Sequence, residues 1–227
     1  MPQLNNEVLN AADVVELVSG SESLHLVSCD LRELRLTGLD LSDAVFEDCH
    51  LDGADLRGAL LSGTSWSRGS LSGTLLDRAD LGDAHFDAVD MAEARLTGAM
   101  MTDAVLSACR LTGLHATDTQ GMGLQIIRCN AYGADLSGMV LRRRDLSGNR
   151  LAEANLRGAD LRDSRLDGCS LENADLVGAK FAGSDLRGAS LGTFDLARAA
   201  ALADAHISPR QAQALAYDLT GAITVGD

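Results

Sequence analysis

The sequence predicts an all-β solenoid, a four-sided coil of five-residue units closed by a short helix at each end. Three observations carry this expectation. A large apolar residue recurs at every fifth position, a small residue stands two places before most of them, and the cysteines are separated by multiples of twenty. The elements follow in chain order as a capping helix within residues 1–23, a repeat region over 24–200, and a C-terminal helical segment over 201–227.

The first helix is expected at residues 10–18. Asn10 is a suitable N-cap, acids stand near the start, and Gly20 is placed to stop the helix. Val14, Leu17 and Val18 would cover the open first coil. Leu24, Leu34 and Leu39, at sites small elsewhere, would fill an end that has no neighbour below it.

The repeat runs from Leu26 to Leu196 without an insertion, and 32 of its 35 central positions are large and apolar. The exceptions are Ala116, Gly121 and Ala131. A period of five suits neither regular element. Five helical steps rotate a side chain by about 140°, and five strand steps carry it to the opposite face. All these residues can be buried only if the chain bends once per unit about a common axis. Cys29, Cys49, Cys109, Cys129 and Cys169 all take the small position at separations divisible by twenty, and Phe46, Trp66 and Phe86 are also twenty apart. Four units therefore make one coil.

The C-terminal helix begins at a capping box, Ser208-Pro209-Arg210-Gln211, and should run to about Thr220 before Gly221. Ile207 would staple against Ala212. Ala212, Leu215, Ala216 and Leu219 share one apolar face, which Ile223 and Val225 extend. That surface exceeds what one narrow coil end can cover, so a two-fold dimer through this segment is expected.

Nineteen basic against 33 acidic residues give a net charge of -14, which argues against direct nucleic-acid or membrane binding. No long apolar run or leader pattern is present, and a cytoplasmic protein is expected. The thiols at inward sites could bridge between stacked coils, but the expectation is that they are buried and free. Scattered histidines, and the lack of a CxxC pair, phosphate loop or dinucleotide fingerprint, point to no catalytic set, metal or cofactor. Placed on four faces, eleven acids gather along one side and its corner: Asp40, Asp43, Glu47, Asp48, Asp80, Asp83, Asp87, Asp103, Asp160, Asp163 and Asp167. This stripe either imitates the charge of duplex DNA or keeps a long β surface soluble. Arg68, Arg128, Arg142 and Arg143 interrupt it. Between Leu114 and Asn149 the pattern weakens, as expected of a kink or of a partner-specific surface, and Arg144 there either pairs with a carboxylate or marks a bulge.

Tandem units such as Ala54-Asp55-Leu56-Arg57-Gly58 resemble the pentapeptide-repeat family over about three quarters of the chain. The resemblance implies a right-handed quadrilateral β-helix. The ending Ile207-Ser208-Pro209-Arg210-Gln211-Ala212 is similar to the terminal helix of family members that protect DNA gyrase from quinolones and toxins. That similarity implies end-to-end pairing of two rods and binding to gyrase or another type II topoisomerase through DNA mimicry, without catalysis. A scaffold that binds some other protein is the alternative.

Overall fold

In a computed structural model, which describes residues 3–20 and 23–221, the chain forms a four-sided parallel β-helix. One face is a seven-stranded parallel sheet of β1 (Gln3–Asn5), β2 (His25–Val27), β3 (Val45–Glu47), β4 (Ser65–Ser67), β5 (His85–Asp87), β6 (Val105–Ser107) and β7 (Gln125–Ile127), in that order. From β2 to β6 each strand pairs with the segment twenty residues later, as in Leu26 with Phe46 and Phe46 with Trp66. The other faces carry single bridges at the same offset, such as Asp30 with His50, Arg35 with Asp55 and Asp40 with Leu60.

Burial follows the period. Leu31, Leu51, Leu56, Leu61 and Leu81 are fully enclosed, each contributing about 1.5–3 kcal/mol of apolar transfer. On the sheet face Phe46 and Trp66 stack with ring centroids 3.8 Å apart, and Phe86 continues the column 5.7 Å beyond Trp66. Polar small residues are satisfied internally. Thr64 Oγ1 donates to the Leu61 carbonyl at 2.7 Å and itself accepts from Trp66 Nε1 at 2.9 Å.

Each end replaces two faces with a helix. Helix α1 (Ala11–Val18) has Asn10 as N-cap in a complete capping box with Asp13, and it buries Val14 against the first coil. The segment before α1 is more than a cap, because β1 pairs with β2 at an offset of 22 and so belongs to the sheet. At the other end α2 (Leu196–Ala201) starts at the N-cap Asp195, so Leu196 is not an inward residue but 78% exposed. After α2 the chain rejoins the ladder, where Asp185 bridges His206. Helix α3 (Pro209–Thr220) then lies across the end: Gln211 Nε2 donates to the carbonyls of Leu186 and Ala189, and Asp218 accepts from the Phe194 amide. The half-buried guanidinium of Arg198 donates to the carbonyls of Leu171, Leu191 and Ala174. These polar side chains satisfy backbone groups that a further coil would otherwise pair.

The ladder opens once between coils. One series of bridges runs through Met100 with Gln120 and resumes only at Val140 with Asp160; the sheet face stops at β7 and resumes at Asp145 with Arg165. The two remaining faces stay paired through Arg110 with Asn130 and His115 with Asp135. The cause is local. Gly121 replaces a large central residue, and its backbone sits so close to Met101 and Thr102 that a Cβ would collide with them. The 121–123 segment thus leans on the coil before it and away from the one after. Leu114, Leu124 and Met139, at normally small sites, are buried and restore part of the missing volume. Asn149, 1% exposed, crosses the gap: its Oδ1 accepts from the Cys129 amide, and its Nδ2 donates to the Ile126 and Leu146 carbonyls, all at 2.7 Å.

Candidate functional site

The eleven acids of the stripe do three different jobs. Asp40, Asp80 and Asp160 immediately precede a central residue, and each carboxylate accepts the backbone amide two residues on, from Ser42 at 3.1 Å, Gly82 at 3.0 Å and Arg162 at 3.3 Å. An aspartate that bonds its own backbone in this way builds the turn at a corner. Asp30, Asp55 and Asp185 do the same and also pair with the arginine two residues later. The Arg32 guanidinium holds the Asp30 carboxyl down at about 2. Much of the acidity is therefore structural and already neutralised.

A second group occupies corners with left-handed backbone: Asp43, Asp83, Asp103 and Asp163, with φ between 53° and 60°. Aspartate tolerates this conformation better than most residues. The four stand in one column because they are separated by multiples of twenty, and Asp83 and Asp103 are one strand spacing, about 4.8 Å, apart along the rod. Gly63, Gly123 and Gly183, one coil above Asp43, Asp103 and Asp163, leave room for those carboxylates where a Cβ would stand. The third group lies past the corner on the sheet face. Glu47 bonds His25 at 2.9 Å and Asp48 grips Arg68 through two 2.7 Å bonds, whereas Asp87 and Asp167 are exposed. Asp163 lies 3.7 Å from Arg143 and 3.9 Å from Arg142. Among the described residues Asp43, Asp83, Asp87, Asp103 and Asp167 have no ion pair. Four of the five fall in the N-terminal half of the rod.

The same side also carries apolar anchors that the sequence reading missed. Leu60 (44% exposed), Met100 (47%) and Val140 (60%) share the column of Asp40, Asp80 and Asp160, and Met122 (80%) projects from the segment that leans away from the gap. The forty-residue spacing of Leu60, Met100 and Val140 was the available signal. Arg144, at a site small elsewhere, has no carboxylate within ion-pair distance among the described residues and lines a cavity at the opened ladder.

The five cysteines are buried and free. Burial pushes the Cys49 and Cys169 thiols up to about 11, so little thiolate exists at neutral pH. Thiol titration with a chromogenic disulfide should find almost no reaction in the native protein and five equivalents after unfolding. Rapid native labelling would contradict the packing. Among the described residues no group of His, Cys, Asp or Glu is arranged to hold a metal, and no helix is long and apolar enough to cross a membrane.

Ile207, just before α3, and Leu215 on it pack partly against the chain's own core, while Ala216 and Leu219 are half-buried and Ala212 and Tyr217 are exposed. Ile223 and Val225 lie outside the described residues.

A profile described as pentapeptide repeats matches eight copies, over residues 25–63, 54–91, 74–113, 125–163 and 154–192. The matches pass over 114–124, where the ladder opens. Among solved structures the chain is similar to QnrB1, a plasmid-mediated fluoroquinolone resistance protein. A trypsin-treated variant of it shares 26% identity at a TM-score of 0.63, covering 89% of this chain and 98% of that one. The full-length form shares 26% at 0.59, covering 85% and 95%. No curated protein sequence matches the chain.

Proposed function

The chain belongs to the pentapeptide-repeat family, and from that premise we propose that it is a non-enzymatic cytoplasmic protein that binds DNA gyrase or another type II topoisomerase as a DNA mimic, and protects it from a poison or modulates it. The observation that carries this reading is the group of acids without an ion pair among the described residues, Asp43, Asp83 and Asp103 on one corner and Asp87 on the adjoining sheet face of the stacked coils. Duplex DNA presents one charge per roughly 1.7 Å of axis, and a cationic groove built for it accepts a rod with repeated carboxylates. The likeness to QnrB1, a fluoroquinolone resistance protein, supports protection against a drug of that class.

The test is a supercoiling assay with and without a fluoroquinolone. Wild-type protein should change supercoiling or relieve poisoning. Reversing Asp43, Asp83, Asp87 and Asp103 to Arg should abolish the effect while the β spectrum is kept, because none of the four has an ion pair to lose among the described residues. An unchanged effect in the reversed variant removes DNA mimicry as the mechanism.

A second reading, a scaffold for another protein, is favoured by Leu60, Met100, Met122 and Val140, since apolar anchors ringed by charge suit a protein interface. Its mark would be binding of a non-topoisomerase partner that is lost in Met122→Asp and kept in the charge-reversed variant.

Assembly through α3 completes the proposal. Gln211, Asp218 and Leu215 hold the helix to its own rod, which leaves Ala212, Ala216 and Leu219 to meet a second copy about a two-fold axis. Sedimentation should show a dimer that Ala212→Asp with Leu219→Asp converts to a monomer of unchanged circular dichroism. A monomeric wild-type protein would make α3 a private cap.

A further inference from the structure

We propose that the opened ladder is a binding site for the phosphate group of a small molecule, held between Arg128 on one lip and Arg143 and Arg144 on the other. A cavity of about 350 Å³ lies there, lined by these three arginines with Gln125, Asp145 and Ser147. The site stands on a different part of the rod from the acidic cluster and does not depend on the topoisomerase reading.

Three observations combine. First, the backbone is unspent at this place. Elsewhere each coil donates to the next, as Leu106 and Ala108 do in the coil below, but the corresponding bonds from Ile126 and Arg128 to the 145–147 segment do not form. The Ile126 and Arg128 amides are left without the partners they have in other coils, while the Ile126 carbonyl is taken by Asn149 and the Ser147 amide by the Asp145 carboxylate. Second, the charge is unspent. Arg32, Arg57, Arg162 and Arg187 are each gripped by the aspartate two residues earlier, whereas Arg128 and Arg144 have no ion pair among the described residues. Asp145, the acid at the cavity, is paired outward to Arg165 at 3.3 Å. Third, the walls are fixed. Asn149 pins the back of the gap, and the aliphatic stem of Arg128 runs beside Gly148.

Several guanidinium groups around one small cavity suit an oxyanion with several acceptor oxygens and more than one charge, which favours phosphate over a single carboxylate. The chain's net charge of -14 repels a polyanion such as duplex DNA. A small dianion inside the cavity responds instead to the nearby arginines, because at physiological salt charges beyond about 8 Å are screened.

The probes are inorganic pyrophosphate, ATP, succinate and a short DNA duplex, titrated calorimetrically into the full chain, with the melting temperature followed in parallel. Pyrophosphate should bind with one site per chain and raise the melting temperature, and succinate should bind at least about tenfold more weakly. Saturation by pyrophosphate alone would assign the site to free phosphates, and equal binding of ATP would assign it to a nucleotide. Arg128→Gln with Arg144→Gln should weaken binding by about tenfold or more. Arg78→Gln, which removes an unpaired arginine outside the cavity, should leave it unchanged. If the double variant does not fold, Arg144→Lys serves, since it keeps charge but loses the forked geometry and should weaken binding measurably. No binding at millimolar pyrophosphate, binding indifferent to the arginine substitutions, succinate binding as tightly, or preferential binding of the duplex would each overturn the proposal.

Discussion

Replacing Trp66 with alanine should destabilise the protein by about 3–5 kcal/mol, the range for deleting a large buried aromatic. Trp66 is 3% exposed and stacks on Phe46 below and Phe86 above, so its loss leaves a void with an aromatic ring on either side. Each stacked contact adds about 0.5–1.5 kcal/mol beyond area burial. The void lies between coils that already pair through backbone bonds, and the ladder restricts how far they can collapse into it. The Thr64 hydroxyl would also lose the indole it accepts from. Trp66→Phe keeps most of the stack and should cost clearly less. Urea unfolding followed by far-ultraviolet circular dichroism measures both, since the single tryptophan cannot report on its own removal. A loss below about 1 kcal/mol for the alanine variant would mean that the column is not a continuous packed core.

Asn149→Ala should be the next most damaging substitution, at about 3 kcal/mol. One side chain satisfies the Cys129 amide and the Ile126 carbonyl where the sheet ladder is open, and it shares the Leu146 carbonyl with its own backbone amide and the Cys169 thiol. Each buried polar group left without a partner costs about 1–3 kcal/mol. Hydrogen exchange locates the effect. The amides of 118–129 and 137–149 should lose protection first, while β2 to β5 stay protected, because a solenoid responds mainly between neighbours. Asn149→Asp should also destabilise, since a carboxylate keeps the acceptor for Cys129 but faces two carbonyls with no proton to donate. Uniform loss of protection along the rod would contradict a local clamp.

The parts of the fold that were legible in the sequence are those written as a pattern. The five-residue period places the central leucines inward, the cysteine spacing gives four units per coil, and the Asn10 N-cap and the Ser208 capping box mark α1 and α3. What escaped lies where the pattern is silent or misleading. Leu4 pairs with Leu26 at an offset of 22, because the first coil contains α1, and three residues without a neighbouring repeat carry no signal for β1. Leu196 continues the period in phase, yet the run Leu-Ala-Arg-Ala-Ala-Ala favours a helix, and Asp195 starts one. Local propensity won there because no coil lies beyond to reward an inward leucine.

The acidic face was legible as a set but not in its parts. Position on a face says which side chains lie near one another. It does not say that Asp40, Asp80 and Asp160 spend their carboxylates on turns, or that Asp48 and Arg68 cancel. The weak stretch from Leu114 to Asn149 was visible through Gly121 and Arg144. Nothing in the period shows that an asparagine at a small inward site would replace the missing ladder bonds, because that role depends on the gap itself.

Displacement of DNA from gyrase shows whether the acidic face occupies a surface built for a duplex, as proposed. Gyrase holding a fluorescently labelled duplex is titrated with the full chain and followed by anisotropy. Wild-type protein should release the duplex stoichiometrically, less effectively as salt rises, and the variant with Asp43, Asp83, Asp87 and Asp103 reversed to Arg should not. Binding of the chain to gyrase with the duplex still in place, or equal release by the reversed variant, would contradict the proposal.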